Sequence, residues 1–385
     1  MKLHEVKTKK DKKRFLDTAR KIYEHDDAWV CPLDAEVEAV FDPKQNVFFN
    51  HGDATRWYMT DDQGNLIGRV AAFINELKAY TFKQPTGGMG FFECINDKQA
   101  AHTLFDTAKS WLEQRGMEAM DGPINFGEND SFWGLLVEGF TQPSYGMQYN
   151  PPYYQELFES YGFQNYFEMY SNHLSMDVGL KPRFLKIARR IASKKEYSFE
   201  HFDQNNKDRY LNALLDVYNT AWKNHENFQP MTYEEVNKSF KAAKPIIDEE
   251  MIWFVFKNDD PAAFLVMYPD VNMILKHFNG KMNLWNKLRF LWMKKRHYMT
   301  RTRLVIMGVK PKYQKLGLES GIFAKLKDTM EKRPWIKELD LSWVGDFNPK
   351  MRSIYEAVGS VPAKKHITYR YLFYKDDLQR SETIK

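Results

Sequence analysis

The sequence predicts an α/β (α+β) protein made of two similar domains in tandem, each a mixed twisted sheet flanked by helices. The first observation is a faint internal repeat, because the pattern around Arg14 and Tyr23 returns around Arg209 and Tyr218, 195 residues later. The second is that both halves alternate strand-like and helix-like segments in the same order after an aromatic hairpin. The third is the length of 385 residues, which is long for one domain and suits two.

The composition is that of a globular protein without a disulfide or metal framework. Hydrophobic residues make up 43% of the chain, enough to fill two cores. Cys31 and Cys94 are the only cysteines, so we expect a reducing, cytoplasmic setting and no metal. No apolar run approaches the roughly 20 residues that span a bilayer, and the basic N-terminal residues precede no apolar segment of a signal peptide. The net charge of +5 suits an anionic ligand, and we expect no nucleic-acid partner because the basic segments contain no recognised reading motif.

The stretch from Thr302 to Met330 carries the clearest chemical signal. A strand-like run ends at Val309, a break follows at Pro311, and a helix-like segment starts after Gly317. The N-terminus of a helix offers N–H groups outside the helical ladder and the positive end of the helix dipole, and both favour a phosphate. A glycine lets the backbone approach a ligand closely. The segment therefore predicts a phosphate site on a strand, a turn and a helix.

This stretch resembles motif A of the GNAT (GCN5-related N-acetyltransferase) superfamily, whose loop Gln/Arg-x-x-Gly-x-Gly/Ala grips the pyrophosphate of acetyl-CoA. Gln314 and Gly317 match the loop, whereas Glu319 stands where the family has Gly or Ala and puts a carboxylate near an anionic cofactor. The resemblance implies that the co-substrate is acetyl-CoA or another acyl-CoA. The cofactor-binding residues that it implies are Met307, Val309, Gln314, Lys315, Leu316, Gly317, Leu318, Ser320 and Asn348. The other interpretation is that Gly317 is only a turn glycine and Glu319 a favourable residue in the first turn of a helix.

A second segment of the resemblance supplies the expected catalytic residue. A strand from Glu338 to Trp343 is followed by Asn348 and a short helix that ends before Gly359. In the family, a Tyr four residues before such a Gly protonates the departing thiolate, and Tyr355 falls on that position. Attack of an amine on a thioester needs such an acid for the sulfur leaving group. A general base is not identified, because nothing in the sequence orients the nearby candidates Asp340, Asp346 and His366.

The two halves differ in these motifs. The first half has only Asn96-Asp97-Lys98 between its strand and its helix, and Phe158 fills the position of Tyr355. We therefore expect donor binding and catalysis in the second half. The predicted units are an N-terminal GNAT-like domain at 1–180 without a pyrophosphate loop, a basic linker helix at 181–197, and an acyl-CoA-binding domain at 198–385 with a basic insert at 276–303.

A long loop in the first half is rich in glycine, proline and aromatic residues. Its segments Gly122-Pro123, Gly139-Phe140 and Asn150-Pro151-Pro152 resemble those of a set of bacterial tandem-GNAT proteins. Such a loop either forms a wall of an acceptor pocket between the halves or is simply packed between them.

The basic insert at 276–303 contains no Asp or Glu. Leu284, Leu288, Leu291 and Trp292 form an apolar stripe in it at helical spacing. A basic amphipathic helix of this kind can make peripheral contact with an anionic membrane through 284–303. It can also pack its stripe on the rest of the domain.

The reaction that the resemblance implies is direct transfer of an acetyl or other acyl group from acyl-CoA to an amine of an unidentified small-molecule or peptide acceptor. Two other functions stay open from the sequence. One is an acyl-carrier or aminoacyl-type transferase on the same fold, because Glu319 is compatible with a non-standard donor. The other is a non-catalytic pair of domains that senses a ligand or binds a membrane surface. Acyl length and oligomeric state are also open.

Overall fold

The computed structural model describes residues 1–129, 131–223, 230–374, 378 and 380, and in this part of the chain thirteen strands form one sheet flanked by helices. The strands are β1 (Lys2–Glu5), β2 (Gly52–Thr60), β3 (Leu66–Asn75), β4 (Thr86–Cys94), β5 (Ala119–Gly122), β6 (Leu135–Glu138), β7 (Gln164–Ser175), β8 (Ser198–His201), β9 (Ile252–Lys257), β10 (Asp260–Pro269), β11 (Arg301–Val309), β12 (Glu338–Gly345) and β13 (Val361–Leu372). The helices are α1 (Lys9–Ile22), α2 (Asp34–Val40), α3 (Glu76–Ala79), α4 (Lys98–Glu113), α5 (Tyr154–Tyr161), α6 (Pro182–Ala192), α7 (Lys207–Ala221), α8 (Tyr233–Ala243), α9 (Asn272–Leu275), α10 (Leu284–Lys295), α11 (Leu318–Glu331) and α12 (Pro349–Val358). Within these ranges, no helix has the length and apolar composition needed to cross a membrane.

The sheet is mixed, as predicted. Its strand order is β1-β2-β3-β4-β5-β13-β7-β12-β11-β10-β9-β8, and β6 pairs with β13. The pairs β4–β5 and β11–β12 are parallel, and the neighbouring hairpins are antiparallel. The predicted hairpin is present in each half, because 61–65 joins β2 to β3 and Asn258 and Asp259 join β9 to β10. Each half has the order strand, two helices, hairpin, long strand, long helix, parallel strand, short helix and last strand, which confirms the predicted fold class.

The last strands of the two halves are exchanged within the sheet. β13, from the end of the chain, pairs with β5 of the first half, and β7 of the first half pairs with β12 of the second. The buried guanidinium of Arg370 on β13 donates to both carboxylate oxygens of Asp121 on β5, at 2.6 and 2.8 Å. Each half therefore completes the sheet of the other. The domain boundaries along the chain stay a prediction, and the predicted end at Lys385 lies outside the described residues.

Each parallel pair opens towards the carboxyl ends of its strands. β4 pairs with β5 only from Thr86 to Gly88, and β11 pairs with β12 only from Arg301 to Leu304, although both longer strands continue. Where this pairing ends, each longer strand contains a bulge against its other neighbour. A bulge bends a strand and increases its twist. The resulting gap in each half lies before the helix that follows, α4 or α11.

Two helices of the second half, α6 and α11, pack through apolar faces. The face of α11 that contains Ile322, Phe323 and Leu326 is buried on the sheet. The predicted linker helix is α6, which ends earlier than predicted and packs on α11 through Ile191. The basic residues of α6, such as Arg190, are exposed. The linker helix is therefore part of the second core, with its charged side in solvent.

Asp121→Ala should destabilise both halves together, because it leaves the Arg370 guanidinium buried without its carboxylate. We expect a loss of about 3–5 kcal/mol in the free energy of unfolding, in one shared transition. Denaturant unfolding followed by tryptophan fluorescence measures this loss. Asp328→Ala is the control, because Asp328 and Arg189 form a pair of 3.7 Å with both side chains more than half exposed, and such a pair contributes at most about 1 kcal/mol. Equal stability of the two variants would contradict the role given to the buried pair.

Candidate functional site

The turn between β11 and α11 places backbone N–H groups at the start of a helix, where a phosphate site is predicted. Gly317 has φ +76° and precedes α11 without a side-chain cap, and Lys315 also has positive φ, +64°. The first helical bond runs from the N–H of Gly321 to the carbonyl of Gly317 at 3.2 Å. The N–H groups of Leu318, Glu319 and Ser320 therefore precede the helical ladder. A phosphate is a suitable acceptor for such a group of donors.

Gly317 is required for both its conformation and its surroundings. A Cβ atom at this position would lie 2.5 Å from Cδ1 of Ile191 on α6. The linker helix therefore packs directly against the predicted pyrophosphate loop. This contact is a structural reason for a glycine at position 317, in addition to the positive φ of the turn.

The loop lysines have different partners. Lys312 Nζ lies 2.6 Å from Asp260, and buried Lys310 lies 2.9 Å from the same carboxylate and 2.7 Å from Asp216. The charge of Lys312 beside the loop is therefore paired with a carboxylate. Lys315 is exposed at the loop, and the Gln314 amide donates to the carbonyl of Val309 at 3.4 Å. Gln314 thus ties the loop to the end of β11.

Glu319 stands at the same helix end as a competing anion. Burial raises the pKa of its carboxyl. The first-turn glutamate is a favourable helix residue and an obstacle to an anionic ligand at the same position.

The predicted catalytic Tyr355 lies on α12 with its side chain buried in the core. Burial, followed by the nearby charge of Asp340, raises the pKa of its phenol, so the hydroxyl stays protonated at neutral pH. Asn348 accepts a hydrogen bond from the Met351 N–H at 3.2 Å and caps α12. This cap is a structural role for Asn348, and its contact with CoA stays a prediction. The same holds for the binding roles of Met307, Val309, Leu316 and Ser320.

The corresponding gap in the first half is occupied by tyrosine hydroxyls. The Tyr153 hydroxyl donates to the carbonyl of Cys94 at 2.7 Å, and the Cys94 N–H donates to the Tyr154 hydroxyl at 2.8 Å. At the start of α4, the Asp97 carboxylate accepts from the Ala100 N–H at 2.7 Å. The backbone N–H and C=O groups of Cys94 at the edge of β4, and the Ala100 N–H at the start of α4, therefore already have side-chain hydrogen-bond partners within the chain. The sequence alone did not indicate this role of Tyr153 and Tyr154, because Cys94 lies about 60 residues away along the chain.

A cavity of about 60 Å³ lies in the first half and is lined by residues of both halves, including Asn272 and Leu275 of α9. Arg69 and Glu93 face each other across β3 and β4, 3.4 Å apart, and burial raises the pKa of Glu93. Within the described residues, Arg69 Nε and Asn125 Oδ1 are buried on this cavity without a hydrogen-bond partner. Arg69 and Glu93 are charged residues in otherwise apolar strand segments of the sequence. This pattern could have indicated a buried polar site, but it was not used to predict one. In the same part of the chain, no group of three or more His, Cys, Asp or Glu residues could hold a metal ion.

Glu319→Gln should tighten binding of acyl-CoA about five-fold, since two unit charges about 4 Å apart in water repel by about 1 kcal/mol. Lower pH should tighten binding to the wild-type chain, because the raised pKa brings protonation of Glu319 closer to neutral pH. The variant should respond less to pH, as calorimetric titration at two pH values would measure. Glu331→Gln, at the other end of α11, is the matched control. Identical affinities of both variants at every pH would mean that Glu319 does not face the phosphate.

Comparisons with known proteins support the fold. No family model matches the chain. One curated relative is Bacterial ceramide synthase of Caulobacter vibrioides (strain NA1000 / CB15N), which is 27% identical over 373 residues, with 94% of this chain and 95% of the relative covered. Another is Protein YghO of Escherichia coli (strain K12), which is 26% identical over 367 residues, with 94% of this chain and 93% of the relative covered. A solved tandem GNAT protein from the clavulanic acid biosynthesis pathway aligns at a TM-score of 0.58 and 10% identity, over 98% of this chain and 99% of that one. A GCN5-related N-acetyltransferase from Sphaerobacter thermophilus aligns at 0.53 and 9% identity, over 98% of both chains. The chain is therefore a protein of the tandem GNAT fold.

Proposed function

We propose that the chain is an acyltransferase that forms an amide from acyl-CoA and an amine, with the donor bound in the second half. The contrast between the two gaps carries this proposal. In the first half, Tyr153 and Tyr154 satisfy the edge of β4 and Asp97 caps α4. In the second half, α11 starts at Gly317 without a side-chain cap, and Lys315 is exposed beside it. The second gap can therefore receive a pantetheine arm and a pyrophosphate.

The proposed reaction is one direct transfer. The neutral amine attacks the thioester carbonyl, a C–N bond forms, and the C–S bond breaks. Tyr355 gives its proton to the departing thiolate, and the proton lost by the amine leaves through water, because no side chain is assigned as the base. The N–H groups before Gly321 and the Lys315 ammonium hold the pyrophosphate.

A long-chain amine is the proposed acceptor, and a fatty acyl-CoA the proposed donor. This choice comes from the Caulobacter relative, whose name is Bacterial ceramide synthase and which aligns with 94% of this chain. A ceramide is a long-chain amino alcohol acylated on nitrogen, so an enzyme that makes one joins two long apolar chains through an amide. Acyl-CoA is an intracellular donor, and we propose that the reaction takes place in the cytoplasm.

Purified protein incubated with a C16 acyl-CoA and a saturated C18 amino alcohol should release CoA thiol and form one amide, detected by mass spectrometry. Acetyl-CoA with the same amine, and C16 acyl-CoA with a short primary amine, should react more slowly. Gly317→Ala should suppress the reaction, whereas Gly116→Ala should not. Gly116 has φ +79° and open space around it, so alanine at this position introduces a similar backbone strain at a site outside the predicted pyrophosphate loop. Turnover with acetyl-CoA alone would contradict the long-chain assignment, and no binding of any acyl-CoA would contradict the donor site.

Tyr355→Phe should lower kcat about 100-fold and leave the Kd of acyl-CoA nearly unchanged, because the hydroxyl is needed only when the thiolate departs. Stopped-flow thiol release and calorimetry measure the two quantities. Tyr369→Phe is the control, since Tyr369 is also buried and its hydroxyl donates to Glu159 at 2.8 Å. An unchanged kcat in Tyr355→Phe, or equal losses in both variants, would remove Tyr355 from the proposed chemistry.

A further inference from the structure

We propose that α10 is a membrane-docking helix that lies on the surface of an anionic lipid bilayer. The proposal rests on exposed side chains and on charge, and does not depend on acyl transfer. The helix has 12 residues, too short to span a bilayer, which needs about 20. A helix of this kind binds parallel to the surface with its apolar side at the level of the headgroups.

The outward side of α10 carries five large apolar residues. Leu284, Trp285, Leu288, Leu291 and Trp292 are 71%, 79%, 51%, 58% and 52% exposed. Their spacing of i, i+1, i+4, i+7 and i+8 places all of them on one side of the helix. Single exposed apolar residues are ordinary on protein surfaces, but a contiguous patch marks a binding surface. The structure thus differs from the expectation that this stripe packs on its own domain.

The opposite side of α10 is already used for packing. Phe290 and Met293 bury against a cluster that includes Phe278 and Met299. Lys294 Nζ also donates a hydrogen bond to the carbonyl of Pro245. The helix cannot turn its stripe inward without losing these contacts. Its orientation is therefore fixed with the tryptophans outward.

Basic residues flank the stripe on both sides. At 100° per residue, Lys287 lies on one side of it and Arg289 on the other, and both are exposed. The Arg296 guanidinium lies 5.6 Å from the ring centre of Trp292. Such side chains cover apolar surface with their stems and hold their charges at the level of lipid phosphates, where tryptophan rings also partition.

The positive charge of the sequence around α10 favours an anionic lipid surface as the binding partner of the stripe. From Val271 to Leu318 the sequence contains no Asp or Glu. An anionic bilayer supplies both an apolar layer for the five side chains and a plane of negative charge for the flanking cations. A second copy of this chain would present the same positive charge to itself, which costs energy.

Flotation of the full-length protein with vesicles tests the proposal, in the absence of acyl-CoA. We expect binding to vesicles of phosphatidylcholine with phosphatidylglycerol, weaker binding to phosphatidylcholine alone, and loss of the difference at high salt. Trp285→Ser/Trp292→Ser should weaken binding to the anionic vesicles at least about ten-fold. Lys287→Gln/Arg289→Gln should weaken binding to the anionic vesicles and leave binding to neutral ones unchanged.

Val178→Ser is the matched control, because Val178 is 79% exposed on a segment remote from α10 in sequence and should leave vesicle binding unchanged. Circular dichroism and thermal unfolding establish that each variant is folded. No binding of the wild-type protein to anionic vesicles would overturn the proposal, as would binding that survives the double tryptophan substitution. A dimer that dissociates in the double variant, without vesicle binding, would also overturn it and assign the stripe to a second copy.

Discussion

The exchange of β7 and β13 between the halves is the constraint on which the rest of the structure depends. Because β13 pairs with β5 and β7 pairs with β12, the two parallel pairs belong to one sheet. Their gaps therefore have fixed positions relative to each other. The buried pair of Arg370 and Asp121 adds a strong local reason for this register, since a shift would leave two charges buried without partners. A ligand in either gap therefore touches an element whose position both halves determine.

A few side chains distinguish two halves with the same order of elements. The gap of the first half is filled by Tyr153 and Tyr154, and its helix is capped by Asp97. The second half has Gly317 at the helix start and Tyr355 where the first has Phe158. In the proposed function the second half binds the acyl donor, and the first half forms most of a small cavity that contains the buried pair of Arg69 and Glu93. Leu275 lines that cavity and also belongs to the cluster on which α10 packs, so the proposed membrane face and the cavity are neighbours.

Features that depend on neighbouring residues could be predicted from the sequence, and features that depend on distant ones could not. Pro311 and Gly317 fixed the end of β11 and the start of α11, and the apolar spacing in α11 fixed its buried face. Nothing local indicates that β13 pairs with β5 or that Tyr153 donates to Cys94, since the partners lie far apart along the chain. Periodicity in α10 identified which residues share a side, but it does not determine whether that side is covered.

The partners of the charged residues around the predicted pyrophosphate loop also depend on contacts between distant parts of the chain. The sequence places Lys312 beside the loop, and only the fold brings Asp260 to it from the preceding hairpin. By contrast, Glu319 lies only two residues after Gly317 in the sequence, so the sequence alone predicts its conflict with an anionic cofactor. The roles of Gln314, Asn348 and Tyr355 in binding and chemistry rest on resemblance and stay predictions, although the helix ends that hold them are as expected.

The exchanged sheet also has a consequence for synthesis of the protein on the ribosome. β5 emerges early, but its partner β13 is the last strand of the sheet to be made. Until then, β5 presents unpaired N–H and C=O groups, which is the kind of edge that pairs with wrong strands. The first half therefore stays incomplete until β13 is made, and its open edge is exposed to wrong pairing until then. Loss of the C-terminal strand would harm the part of the molecule that was made first.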